Sequence, residues 1–138
     1  MLRIKGSALE KAITQAERDY PYETCGLLLG KIDGVIRTVF GCFETPNANP
    51  DRKNDRYEID AKDYLKAEEK ARQFGLEIVG VYHSHPDHPD RPSAFDEERA
   101  FEGWSYLILS VSKGKVVSYR SWELFEGKFR QEEIYIFG

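Results

Sequence analysis

Apolar and polar positions along this chain follow two different periods. Leu9, Ala12, Ile13, Ala16 and Tyr20 recur at helical spacing, and so do Tyr64, Ala67, Ala71 and Phe74. Each set draws one apolar stripe and predicts an amphipathic helix. The first helix starts at Ser7, where Ser7 and Glu10 have the spacing of a capping box, and Pro21 stops it. The second spans residues 61–74, with Asp60 placed to cap it and Gly75 to close it.

The remaining apolar segments are shorter and denser. Residues 25–32 (CGLLLGKI) are too short and too apolar for a free-standing helix and predict a buried strand. Asp33-Gly34 is a two-residue turn signal, and residues 35–43 return as the second strand of a hairpin. Residues 1–6 predict a short edge strand. A strand over residues 76–85 delivers His83 and His85 near its C-terminal end, where open α/β sheets place ligands. Beyond a Pro-rich turn come a short helix over 93–101, a strand over 104–111, a turn at Lys113-Gly114 and a partner strand over 116–122. Residues 123–128 read as a linker or turn, and residues 129–137 as one last strand. Residues 44–56 (ETPNANPDRKNDR) form a long polar loop, of a length more often functional than accidental. The whole predicts an α/β chain, a mixed β-sheet packed against helices, in one domain over residues 1–138.

Composition narrows the classes. A chain that is 41% hydrophobic and 32% charged folds around a core rather than remaining disordered. Its net charge of -4, with no basic stripe or arginine-rich arm, argues against a nucleic-acid partner. Two cysteines, Cys25 and Cys42, are too few for a disulfide framework, and reduced thiols are expected. No segment has the pattern of a signal peptide or a membrane span, so the expectation is a cytoplasmic protein without a membrane partner.

The candidate chemistry is concentrated in one stretch, because all three histidines lie at positions 83, 85 and 88. On a strand the period of two puts His83 and His85 on one face, with Cα atoms about 6–7 Å apart. Two imidazoles so placed converge on a single ion. A catalytic zinc commonly takes three protein ligands and keeps one position for water. The third ligand is open among Asp87, His88, Asp90 and Asp96. Asp96 follows Ser93 by three residues, the spacing of a helix N-cap, which is compatible with a rigidly held ligand but does not require one.

Taken as a composite, His83-Ser84-His85-Pro86, six residues, then Ser93-Ala94-Phe95-Asp96 resembles the His-x-His-Pro…Ser-x-x-Asp signature of the JAMM or MPN metalloproteases. Upstream, residues 23–30 (ETCGLLLG) are similar to the segment that carries that family's essential glutamate. Tyr57-Glu58-Ile59-Asp60 and the second helix fall where the family has corresponding elements. The resemblance implies an MPN (cytidine-deaminase-like) fold of the compact prokaryotic type. It implies one Zn2+ bound by His83, His85 and Asp96, with Glu23 as general base and Ser93 donating to the oxygen of the tetrahedral intermediate. The implied substrate is a ubiquitin-like or sulfur-carrier protein with a Gly-Gly tail, cut at the peptide or isopeptide bond after that tail by a monomer or homodimer. Two other classes stand beside it. One is an inactive MPN-like domain that binds a ubiquitin-like partner, and the other is a zinc deaminase. A deaminase is expected to show His-x-Glu and Pro-Cys-x-x-Cys, and this chain has neither.

Overall fold

The computed structural model describes residues 1–138. In chain order the elements are β1 (Leu2–Lys5), α1 (Gly6–Asp19), β2 (Cys25–Asp33), β3 (Ile36–Thr45), α2 (Ala61–Gln73), β4 (Glu77–Pro86), α3 (Ala94–Glu98), β5 (Ser105–Ser112), β6 (Lys115–Phe125), β7 (Lys128–Glu132) and β8 (Ile134–Phe137). All eight strands join one mixed sheet in the order β7-β6-β5-β4-β2-β3-β1-β8. No helix is long and apolar enough to cross a membrane.

The strand order forces a curl. β7 and β8 stand at opposite ends of the sheet, yet only Glu133 separates them in sequence. One residue spans roughly 3.5 Å, whereas a flat sheet of this size is roughly 33 Å wide at about 4.8 Å per strand. The sheet therefore bends until its two edges approach, and the Glu133 carbonyl accepts from Leu2 N–H at 2.9 Å. The expected single last strand is thus two strands. The expected edge strand at the N-terminus is instead interior, paired in parallel with β3 on one side and β8 on the other. Neither outcome is visible in a local pattern, since both depend on closure of the sheet.

Three local expectations also change. α1 begins at Gly6, directly out of β1, so Ser7 lies inside the helix and no side chain caps it. Phe74 follows the end of α2 and is exposed, with Lys70 Nζ 5.4 Å from its ring centroid. In the first hairpin Asp33 pairs with Ile36, so the turn is Gly34-Val35, with Gly34 at φ +61°. Within the stretch read as a linker or turn, Glu126-Gly127 is a tight turn, both residues at positive φ, between the end of β6 and the start of β7.

Helices cover both faces of the sheet. α1 packs Ala8, Leu9 and Ala12 against Leu28, Val39, Val79, Tyr82 and Leu107. α2 packs Ala67 and Ala71 against Leu27, Leu29, Ile78 and Val81 on the other face. An extra residue in β4 opposite Leu28 and Leu29, a β-bulge, shifts the alternation. Ile78 and Val81 consequently share the α2 face, and His83 and His85 continue the set begun by Val81.

Candidate metal centre

His83 and His85 occupy the C-terminal end of β4, and their Nε2 atoms are 3.2 Å apart. The short helix α3 brings Asp96 to them. Ser93 is its N-cap, in a complete capping box. Ser93 Oγ accepts from Asp96 N–H at 3.1 Å, and Ser93 N–H donates to Asp96 Oδ2 at 2.9 Å. That oxygen lies 3.3 Å from His83 Nε2 and 3.1 Å from His85 Nε2. The carboxylate that the cap holds in place is therefore the one that faces both imidazoles.

Glu23 arrives through β2. Cys25 pairs with His83, and Ser84 exchanges hydrogen bonds with Thr24. Thr24 N–H donates to Ser84 Oγ at 2.8 Å, and Ser84 N–H donates to Thr24 O at 3.1 Å. Beside this contact the Tyr82 ring lies over Gly26, where a Cβ would sit 2.2 Å from the ring. Any larger residue at position 26 must displace that buried ring. A Glu23 carboxylate oxygen lies within 4.8 Å of the ligand nitrogens of both histidines, a looser approach than that of Asp96. Glu23 Oε1 is buried and has no hydrogen-bond partner.

These distances suit a cation. Donors placed about 2.0–2.1 Å from a tetrahedral ion stand roughly 3.3–3.4 Å from one another, and the three observed separations run from 3.1 to 3.3 Å. His85 Nδ1 is 2.8 Å from Pro89 O; the donation this requires leaves the lone pair on Nε2. Burial pushes the His83 pKa down against the pull of Asp96, so its ring is neutral. Burial alone would raise the Asp96 carboxyl. The two histidines beside it and the Ser93 N–H instead hold it well below the usual carboxylate range. Two imidazoles, an ionised carboxylate and an orphaned buried oxygen are the donor set of a divalent metal site.

The other residues weighed as third ligand stand elsewhere. Asp87, at φ 58°, accepts from Tyr20 Oη at 2.7 Å. His88 is exposed. Asp90 is buried, contrary to what a turn residue suggests, and pairs with Arg120 at 3.3 Å.

Sequence reasoning assigned no task to Ser84, Tyr57 or Asn47. Ser84 faces away from the metal side and locks β2 against β4. The Tyr57 ring stacks on His83, with centroids 4.4 Å apart and planes 23° apart. Asn47 Nδ2 donates to Glu23 O at 3.3 Å and to Arg56 O at 3.0 Å, while its Oδ1 accepts from Glu58 N–H at 3.1 Å. One side chain thereby ties the long loop to the segment carrying Glu23. The only local signal for any of them was the position of Ser84 between the two histidines.

A buried carboxylate with a free oxygen, aimed at a metal-ligand cluster on a curled mixed sheet, defines a metal-dependent hydrolase of the JAB/MPN fold. Comparison with known proteins agrees. The family described as prokaryotic homologs of the JAB domain matches residues 6–125, and the chain belongs to that family. A desampylase of Haloferax volcanii is 37% identical over 107 residues, 77% of this chain and 75% of the relative. A CysO-cysteine peptidase of Mycobacterium tuberculosis is 27% identical over 135 residues, 97% of this chain and 90% of the relative. A Desulfitobacterium hafniense protein solved in solution superposes with a TM-score of 0.86 at 32% identity, covering 99% of this chain and 92% of that one. The chain is a metal-dependent peptidase.

Proposed function

We propose that this peptidase binds one zinc ion through His83, His85 and Asp96. It hydrolyses the peptide or isopeptide bond after the C-terminal Gly-Gly of a ubiquitin-like or sulfur-carrier protein. The observation that carries this reading is the convergence of three donor atoms at tetrahedral spacing beside the unpartnered Oε1 of Glu23. The desampylase and CysO-cysteine peptidase relatives supply the substrate class.

When bound, zinc acidifies water and polarises the scissile carbonyl. Glu23 takes the proton released as water attacks and hands it to the departing nitrogen. Burial first, then Asp96 and Asp55, push the Glu23 carboxyl up to about 9, which makes it a group that holds a proton readily. A cation beside it favours the ionised form, the one that accepts a proton. Ser93 Oγ accepts from Asp96 N–H and keeps its own O–H to donate to developing oxyanion charge. Burial pushes the thiols of Cys25 and Cys42 up to about 12, and neither serves as a nucleophile. A cytoplasmic setting belongs to the same proposal and rests on these two free, buried thiols.

The test is zinc stoichiometry together with cleavage of a panel of Gly-Gly-tailed carriers by the parent and Glu23→Gln. One zinc in each protein is expected, with cleavage lower by about 10²- to 10⁴-fold in the variant. One zinc without cleavage of any carrier sinks the substrate class, and absence of zinc sinks the metal reading.

A further inference from the structure

The cavity of about 460 Å³ that Glu23, His85 and Ser93 share is also lined by Arg52, Arg56 and Arg91. Three guanidinium groups in one cavity stand out on a chain whose net charge is -4. Arg52 is spoken for, since it forms an ion pair with Asp55 through two hydrogen bonds. Neither of the other two forms an ion pair, though Arg56 is near enough to Asp55 to help Arg52 hold that carboxyl down. The Arg56 guanidinium lies over the Phe95 ring, 4.5 Å from its centroid, which occupies its flat face and leaves its N–H edge free. Arg91 makes no ion pair with any carboxylate of the chain.

Both arginines are carried on loops fixed from several sides. Arg56 O accepts from Asn47 Nδ2 at 3.0 Å, and Arg56 N–H donates to Arg52 O at 2.8 Å. The turn that carries Arg91 is held by Trp122 Nε1, which donates to Asp90 O at 3.0 Å. Ser110 Oγ also donates to His88 O, at 2.6 Å. Two free cationic groups on fixed supports, facing the cavity that holds the general base, form a receptor for an anion.

We propose that Arg56 and Arg91 bind a carboxylate on the leaving group. The preferred substrate is then a carrier whose Gly-Gly is joined by a peptide bond to one amino acid with a free α-carboxylate, rather than by an isopeptide bond to a lysine side chain. The proposal rests on the peptidase reading above. The reaction remains simple hydrolysis: the C–N bond breaks, the water oxygen joins the carbonyl carbon, and the amine leaves with a proton from Glu23. The departing nitrogen therefore stands beside Glu23, on its side toward His85 and Ser93 and this cavity rather than toward the second cavity that Glu23 lines with Asn47 and Lys53. In an α-linked amino acid only the α-carbon separates that nitrogen from the carboxylate, so the anion stays within the cavity. A lysine linked through Nζ places an aliphatic stem there and leaves both guanidinium groups without a partner. Charge-assisted hydrogen bonds of this kind discriminate by about 10- to 100-fold.

The experiment uses the zinc-loaded protein and a carrier found to be cleaved in the panel above. Three forms of the carrier are compared: Gly-Gly extended by alanine with a free carboxylate, by alanine carboxamide, and by an isopeptide-linked lysine with blocked termini. The parent is expected to favour the free carboxylate about 10-fold or more in kcat/KM. In Arg56→Ala/Arg91→Ala that ratio falls to near one, through a rise in KM for the acid. Arg91→Gln alone, at an exposed position, moves the ratio the same way if the double variant does not fold. Equal cleavage of acid and amide by the parent overturns the subsite while the peptidase reading stands. A double variant that loses acid and amide cleavage in equal proportion overturns it as well. Cleavage of no carrier in the panel overturns both readings.

Discussion

The fold contains two clusters of buried charge, at opposite ends of β2, and they differ in whether their polar atoms are satisfied. At one end Arg37, which pairs with Ile32, reaches Glu132 at 2.8 Å, Glu123 at 2.6 Å, Ser105 Oγ at 2.6 Å and Gly103 O at 3.2 Å. Glu132 also accepts from Ser121 Oγ at 2.8 Å. This cluster joins β3 to β6 and β7 where the curled sheet meets itself, and its charges are matched within the chain. At the other end, Glu23 Oε1 has no partner and two imidazole Nε2 atoms face each other across 3.2 Å. Burying charge is costly in both places. One cluster recovers that cost internally, whereas the other is arranged for a cation and a substrate. Satisfaction of polar atoms, rather than burial or charge, separates the structural cluster from the functional one.

The comparison breaks most severely if the metal ligands prove structural. Asp96→Ala is expected to lose zinc and with it nearly all cleavage, while the fold persists in circular dichroism. Added zinc should raise the Tm of the parent but not of the variant, because only the parent gains binding energy in the folded state. Full zinc occupancy in Asp96→Ala rules Asp96 out as a ligand. The opposite cluster should answer in the opposite way. Arg37→Met takes away the buried cation between Glu132 and Glu123, leaving only the Met1 ammonium and Arg130 beside them, and should cost about 3 kcal/mol in urea unfolding. Its zinc stoichiometry should stay at the parent's value. A variant that keeps its stability but loses zinc would show that the two clusters are coupled.

Smaller effects sharpen the contrast. Tyr57→Ala removes the ring stacked on His83 and should weaken zinc affinity by about 10-fold, read by competition with a chelator. Unchanged affinity means that Tyr57 only fills space. The least effect is expected at the cysteines. Burial raises both thiols to about 12, so they remain protonated at pH 8 and should resist alkylation until the chain unfolds. Rapid labelling of Cys25 in the native protein contradicts its burial against Thr45.

Much of this protein can be read from the chain alone, because its elements are marked by local physics. The stripe of α2 with Asp60 before it and Gly75 after it defines that helix. His83 and His85 share a face because a strand repeats every two residues. The spacing of Ser93 and Asp96 marks a capped helix start, which the capping box realises. Where local signals competed with long-range pairing, the pairing prevailed. Ser7 and Glu10 have the capping pattern, but β1 is held in the sheet and runs directly into α1, so the helix starts one residue earlier.

Only the tertiary structure decided how these parts meet. The split of the last segment into β7 and β8 follows from closure of the sheet, which no window of sequence contains. Glu23 lies 60 residues before His83 and acquires its place from the pairing of Cys25 with His83 and the contact of Thr24 with Ser84. Tyr57, Asn47, Arg56 and Arg91 gain their positions around the metal centre from loops without any periodicity. Periodicity and capping act over a few neighbouring residues and leave their mark in the sequence. A hydrolytic centre instead needs groups from distant segments within a few ångströms, and it is the pairing of β2 with β4, with α3 and the loops tied across its end, that brings them there.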